Sequence, residues 1–587
     1  MTIGREPVTV VELDQDLCQL TYGVAPCAAA LGVTGPRKCF NTIASCQDED
    51  NYSLGDPLTL RFVTPNEWHG LPRTLLLIPS LVSVGTTPTR INLASGNPDA
   101  SPLGERGTIE VVLMDHPYHD RVTDPYVTER DYDPAGQGTF WARWLARNPY
   151  HAGRGLRVRT GFVGQALSEF SMRHYVIDRI DGPSVGQVTI TAKDPLRLLD
   201  DTRVRAPAVN TGTLDQDISD EDTSPLQFDL LPAGVGDEEY DAAGVARIGG
   251  ELVQFVRGGD TVDIVSRGLR GTDISSHSEG DVFQQVLVIT SQRVDALLST
   301  LMVDYGGIDP DWVPTDDWDA EADLWCSGFN LSAWITEPTG VGSLVAQVCE
   351  ETGVYVWWDE SAQVVRLRAT RPFYPARDTA AQELNHAQHV VEDSLTIDSL
   401  PEERITQVWM YYVVRNPAGS LDDPSNFARL RVLADNNAEA AVRYGDQRIK
   451  VMYCRFLDES NDSTTAVVAA RILDRRHESP RVLTWHIDHK DASVNLGEIV
   501  RLTHPDLSDI YGAAEPTFLH ITSVDPIDPG HLIEVEARPY ITRTRYAFIM
   551  ADGSPDYSAA TTAQRESGGW VAPDVLFANG DNAYRVL

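Results

Sequence analysis

The sequence predicts a mainly β, multi-domain chain with a smaller α+β part, and three observations carry that prediction. Short stretches of alternating apolar and polar residues, separated by Gly, Pro, Asp and Asn, run through most of the 587 residues. That period of two is the signature of half-buried strands. Helical spacing surfaces at only a few places. The length exceeds what one hydrophobic core organises, so several domains are expected.

The first element, residues 1–60, is marked by its chemistry. Cys18, Cys27, Cys39 and Cys46 form a C-x8-C-x11-C-x6-C array in LCQLTYGVAPCAAALGVTGPRKCFNTIASCQ. Four thiolates can close a zinc or iron–sulfur site, or pair as two disulfides. Zinc sites usually draw ligands as close C-x2-4-C pairs, because one tight turn then presents two thiolates to one ion. No such pair occurs here. An iron–sulfur cluster accepts ligands from separate loops, so it fits this spacing better than zinc does. Pro26 and the Gly32–Gly35 loop supply bends, and Tyr22 and Phe40 are expected to shield the site from water. Cys326, Cys349 and Cys454 lie among apolar or aromatic neighbours and read as core thiols.

The remaining elements follow in order. Residues 61–205 read as a first β-barrel, ending in GLRVRT (155–160), YVIDRI (175–180) and VTITAKDP (188–195). Residues 206–289 hold an inserted module of hairpins, with turns at Gly258–Gly259–Asp260 and Arg270–Gly271–Thr272. Residues 290–395 form a helix–hairpin domain. Its first helix carries Val294, Leu297, Leu298 and Leu301 on one stripe, with Gly306 as the stop. Its second carries Val341, Leu344, Val345 and Val348, and stops at Gly353. A hairpin over 354–369, turning at Asp359–Ala362, comes next. Residues 396–547 read as a second barrel containing a helix at Thr465–Arg476, opened by Ser463 or Thr464. Its GEIVRLT (497–503), LHITSV (519–524) and LIEVEARP (532–539) echo the first barrel, with Gly497 matched to Gly155. Residues 548–587 are rich in Gly, Ser, Ala and Asn and read as a C-terminal arm.

Charge and motifs narrow the function. With 86 acidic against 48 basic residues, the formal charge is −38, which argues against a nucleic-acid-binding surface. It suits a surface past which DNA slides without sticking. No basic region precedes an apolar core at the start, so no secretory signal is read and the chain is expected to be made in a reducing cytoplasm. The apolar run 75–84 is too short to span a bilayer. The histidine pairs His116/His119, His386/His389 and His486/His489 lack a helical H-E-x-x-H frame, and the acidic run Asp309–Asp323 lacks the glycine of an EF-hand loop. No P-loop, nucleophile elbow or dinucleotide fingerprint is present. The chain reads as no enzyme.

The module IGGELVQFVRGGDTVDIVSRGLRGT (248–272), the run Trp325–Ala369 with its ITEPTGVGSLVAQVCEETGVYVWWDE, and the paired barrel segments together resemble the baseplate hub proteins of long-tailed bacteriophages and gene-transfer particles. The resemblance implies a homotrimer whose two tube-like barrels per subunit make a pseudo-sixfold ring, joining a hexameric tail tube to a threefold tip. It implies a place in the tail baseplate of the virion. Its implied partners are distal tail and tube proteins, a tape measure protein, and tip or fibre proteins, with genomic DNA passing through the channel. The amino-terminal segment is similar to the iron–sulfur domain of lambda-like tail-tip proteins, which implies Cys18, Cys27, Cys39 and Cys46 as ligands of a [4Fe-4S] cluster. Here that segment lies at the front of a hub rather than at the end of a separate protein. Two other readings stand beside this one: a tail-tip cell-wall hydrolase, and a receptor-binding adhesin stapled by disulfides among the four cysteines.

Overall fold

The structure is a computed structural model. It describes residues 6–65, 71–72, 74–93, 103–130, 136–222, 224–371, 382–477, 480–489, 494–528 and 530–540. The expected C-terminal arm, 548–587, lies outside them.

Strand β1 (Pro7–Gln15) begins a seven-stranded antiparallel sheet with β2 (Leu58–Val63), β3 (Leu81–Thr87), β4 (Thr108–Met114), β5 (Gly155–Phe162), β6 (Ser171–Ser184) and β7 (Gln187–Lys193). The strand order is β2-β1-β5-β6-β7-β4-β3. Its ends curl toward each other: Ile78, just ahead of β3, exchanges backbone bonds with Val63 and Arg61 of β2 (3.0 and 2.8 Å). The sheet is thus nearly closed around Val11, Leu13, Phe62, Val111 and Ile190, and helix α1 (Phe140–Arg147) plugs it with Phe140, Trp141 and Trp144.

Register around β1 is set by charge. Glu12 stands directly opposite Arg61 in β2 and Arg157 in β5. Its buried carboxylate contacts Arg61, Arg157 and Arg159 at 2.9–3.1 Å. Burial alone would raise its pKa, but the bonds from Arg159 and Arg157 prevail and hold it below the usual range. A slip of one residue would strand this charge and turn the apolar face outward. The boundary expected at residue 60 falls inside β2, and β1 belongs to this sheet. The cysteine segment is therefore a connection within the first sheet rather than a unit preceding it.

The second sheet repeats the first. Strands Ile499–Thr503, Thr517–Asp528, Leu532–Pro539, Arg481–Asp488 and Thr396–Ser399 pair antiparallel in the order of β5, β6, β7, β4 and β3. They differ at one edge, where Gln382–Asn385 adds in parallel. The likeness extends to irregularities. Register shifts between β6 and β7 fall at Ile177/Arg179 and Asp181/Ser184, and those of the second hairpin at Ile521/Ser523 and Asp525/Asp528, each 344 positions later. Chance similarity between two antiparallel hairpins does not place two bulges alike. Gly153 and Gly497, at the same spacing, both have φ near +80° and both donate to the carbonyl of the matching isoleucine. The partner of Gly497 is therefore Gly153, not Gly155.

These two glycines yield a paired prediction. A Cβ at Gly153 meets nothing within 4 Å, whereas one at Gly497 would lie 2.4 Å from the buried ring of Trp357. Gly153→Ala is expected to cost only the left-handed backbone penalty, about 1–2 kcal/mol. Gly497→Ala adds about 1–3 kcal/mol of overpacking. Denaturant midpoints should rank the two variants in that order.

Between the sheets lie two further bodies. The module is a six-stranded sheet whose hairpins turn at Gly249–Gly250 and at the expected Gly258–Gly259–Asp260. The turn expected to join strands at Arg270–Gly271–Thr272 joins none. There the chain instead wraps buried Glu251, whose carboxylate accepts bonds from Arg267, His277 and the backbone N–H groups of Gly268 and Ser275. The helix–hairpin body has the expected parts. Helix Val294–Thr300 runs on through a wider turn to Tyr305, and helix Val341–Thr352 ends at left-handed Gly353. Gly306 is not left-handed; a Cβ there would strike Leu199 at 2.4 Å. The later helix starts at Asp462 with Asn461 as its N-cap, earlier than predicted. Cys326, Cys349 and Cys454 are buried in this shared core, and burial pushes the first two thiols up to about 12.

Candidate cofactor site

The four amino-terminal cysteines sit in residues 16–57, the connection between paired strands β1 and β2. Gln15 faces Leu58 across the ladder, and bonds from Gln19 N–H to Ser53 O and from Gly55 N–H to Leu17 O (both 2.9 Å) continue the stem outward. Beyond it the chain holds only two 3-10 turns, Ile43–Ser45 and Glu49–Asn51. Gly, Pro and small residues give it little apolar material with which to build more.

Cys18, Cys27, Cys39 and Cys46 all line one recess of about 310 Å³ counted with its mouth, together with Tyr22, Asn41 and Tyr52. The spacing in sequence had suggested a shared place, and the fold brings all four to it. Burial pushes the Cys39 thiol up, and the sulfurs of Cys46, Cys27 and Cys18 push it further. Cys46 is raised in the same way, by burial first and then by Cys18 and Cys27. None of the described residues lining the recess is basic, so thiolates here lack a counter-charge. A metal centre would supply it. All seven cysteines are free thiols. Among the described residues no group of three or more His, Cys, Asp or Glu side chains is arranged to hold a metal ion. The thiols share a recess without closing into an ion's coordination shell.

Two neighbours escaped the sequence. Tyr52 lines the recess with its hydroxyl pushed up to about 12, by burial first and then by Cys18; its only signal was an aromatic shortly after the fourth cysteine. Asn41 has φ +56. Its amide donates to the carbonyls of Cys18 and Leu20 (3.1 and 3.4 Å) and accepts from the Cys39 thiol (3.4 Å). Tyr22 shields the recess as expected. Phe40 does not line it; its ring lies 4.0 and 3.8 Å from the guanidinium groups of Arg130 and Arg147.

Those arginines belong to the stretch after β4, so the segment is docked on the first sheet. Arg130 donates to the carbonyls of Lys38 and Cys39 (2.9 and 2.8 Å) and pairs with buried Asp124. Tyr22 N–H donates to Tyr126 Oη at 2.8 Å, and Lys38 pairs with Glu129 at 2.7 Å. Bonds from a charged donor are worth about 1.5–3 kcal/mol each. Arg130→Ala is expected to lower amide-exchange protection over 18–46 by more than about tenfold, while protection of β5–β7 stays unchanged.

His486 pairs with Glu534 at 3.3 Å, and His489 packs on Phe162. In the acidic run, Asp319 and Asp323 pair with Arg293, while Trp318 donates to the carbonyl of Val365 from inside the core.

No family profile matches the chain, and no curated protein matches it in sequence. Among solved structures it is similar to phage tail proteins. One is a tail protein from Neisseria meningitidis MC58 (TM-score 0.35, 10% identity, 78% of this chain and 95% of that one). Another is the prophage MuSo2 43 kDa tail protein from Shewanella oneidensis (TM-score 0.33, 10% identity, 78% and 97%). A third belongs to the virion of a native gene transfer agent particle (TM-score 0.28, 13% identity, 64% and 79%).

Proposed function

We propose that this chain is a structural hub at the distal end of a bacteriophage-type tail, made in the host cytoplasm and built into the virion. The observation that carries this reading is the repeated sheet, with its bulges recurring 344 positions apart. A chain presenting the same unit twice offers six equivalent units when three copies assemble. Such a trimer meets a hexameric tube on one side and a threefold tip on the other. The repeat, the module at 248–272 and the run at 335–360 support it.

Its work in this reading is assembly rather than catalysis. The two sheets continue the tube, and a charge of −38 lets DNA pass without adsorbing. The module and the carboxy-terminal residues meet neighbouring tail, tip, fibre and tape measure proteins. Cys18, Cys27, Cys39 and Cys46 hold an iron–sulfur cluster, which when bound supplies a cross-link among four arms of a segment too small to own a core. Asn41 and Arg130 set those arms beforehand. Counting copies in assembled tails by electron microscopy tests the hub reading: three per tail, around a channel lined by both sheets, is expected. A single copy, or six, would sink it.

A further inference from the structure

The inserted module, the paired strands Leu287–Arg293 and Asn330–Ile335, and strand Gln407–Val414 with the loop after it enclose a recess of about 1190 Å³ counted with its mouth. Ile289, Val414, Pro417 and Leu421 give it apolar walls, and two arginines line it as well. Arg455 is half-buried, and its Nε is shut away from water with no hydrogen-bond partner. Arg270 is exposed, and its guanidinium rests on the ring of Trp334, 4.9 Å from the centroid. Among the described residues neither guanidinium is in an ion pair.

The carboxylates nearby are engaged elsewhere. Asp458 accepts from the backbone N–H and the hydroxyl of Ser460 (2.8 and 2.6 Å), and exposed Glu459 turns to Arg429, 4.0 Å away. Glu351 accepts from the N–H groups of Arg455 and Phe456 (both 2.8 Å), and Glu337 pairs with Arg247. Burial accordingly pulls the Arg455 guanidinium below its ordinary pKa, although Glu351 and Glu337 oppose the shift. A buried charge without a partner is costly, and an entering carboxylate would offset that cost with charge-assisted hydrogen bonds. The backbone at the recess is strained too. Arg270 holds φ 52, ψ 37, and Val413 holds φ 64. A β-branched residue rarely adopts that left-handed conformation, and such strain concentrates at ligand clamps. Asp458 and Glu459 in the lining would repel a run of phosphates. An isolated carboxylate beside an aliphatic side chain suits two guanidinium groups set among apolar residues.

We propose that this recess binds an acidic segment of a partner protein, seating an aspartate or glutamate on Arg455 and Arg270 and a neighbouring aliphatic side chain against Pro417 and Leu421. The inference does not depend on the hub reading. Its test titrates the purified full-length chain against a fluorescein-labelled peptide of alternating aspartate and leucine, and against a counterpart with asparagine in place of aspartate. Saturable binding of the acidic peptide is expected, with the asparagine peptide at least about tenfold weaker. Arg455→Gln and Arg270→Gln are each expected to weaken the acidic peptide about tenfold, the scale of a lost hydrogen bond to a charged group. Arg179→Gln, at an exposed arginine of the first sheet, is expected to leave binding unchanged. Because Arg270 is exposed, its variant decides the matter should Arg455→Gln fail to fold. No saturable binding, equal binding of the two peptides, indifference to Arg270→Gln, or a loss that Arg179→Gln reproduces would each overturn the proposal.

Discussion

Protein purified without oxygen is expected to be brown and to carry about four irons and four sulfides per chain, as a cubane held by four thiolates requires. Cys39→Ala is expected to abolish the colour. Its thiol lines the recess with the other three, and burial and their sulfurs push it up. Removing iron with a chelator should strip amide-exchange protection from 16–57 while leaving the ladder between β1 and β5 protected, because that segment docks on the sheet without contributing a strand to it. Colourless protein carrying one zinc, or two disulfides found by mass, would overturn the cluster. Either result would leave the hub reading standing, since that reading rests on the repeat.

Acid is expected to unfold the module first, through Glu251. Burial alone would raise its pKa, but bonds from His277, Arg267 and the Ser275 N–H outweigh burial and bring it down to about 2. A carboxylate whose folded value lies below its unfolded value of 4.5 contributes stability that is fully present above pH 4.5. That contribution is lost as the pH falls from there toward 2. The shift corresponds to about 3 kcal/mol at neutral pH. Glu251→Ala removes one partner of a fully buried ion pair and should cost about 3–5 kcal/mol. It should also flatten the dependence of module stability on pH between 2 and 4.5. Amide exchange over 243–266 at pH 7 and pH 3.5 measures both effects. An unchanged pH slope in the variant would refute the assignment.

The module shows why a motif can be legible while its cause is not. The stretch 248–272 stood out in sequence through its resemblance to tail-hub modules, and Gly258–Gly259–Asp260 and Arg270–Gly271–Thr272 suggested turns. That Glu251 and Arg267 are one buried pair, with His277 as a third member, required knowing which strands are adjacent. The misplaced second hairpin has the same origin. Arg270–Gly271 looks like a turn because it is one, but it closes around a carboxylate instead of joining two strands.

The sequence by itself determined the β character, the helix stripes, the stops at Gly353 and the repeat, because periodicity and turn chemistry are local properties written residue by residue. It also determined that four thiols crowd one short segment. Tertiary structure alone decided that β1 precedes the cysteines yet belongs to the first sheet, and that Gly153 rather than Gly155 is the partner of Gly497. It also decided that Phe40 serves docking while Tyr52 lines the recess. Each of these depends on pairing between strands or side chains far apart in the chain, and pairing of that kind is selected by burial and register over the whole sheet, which no local window of sequence contains.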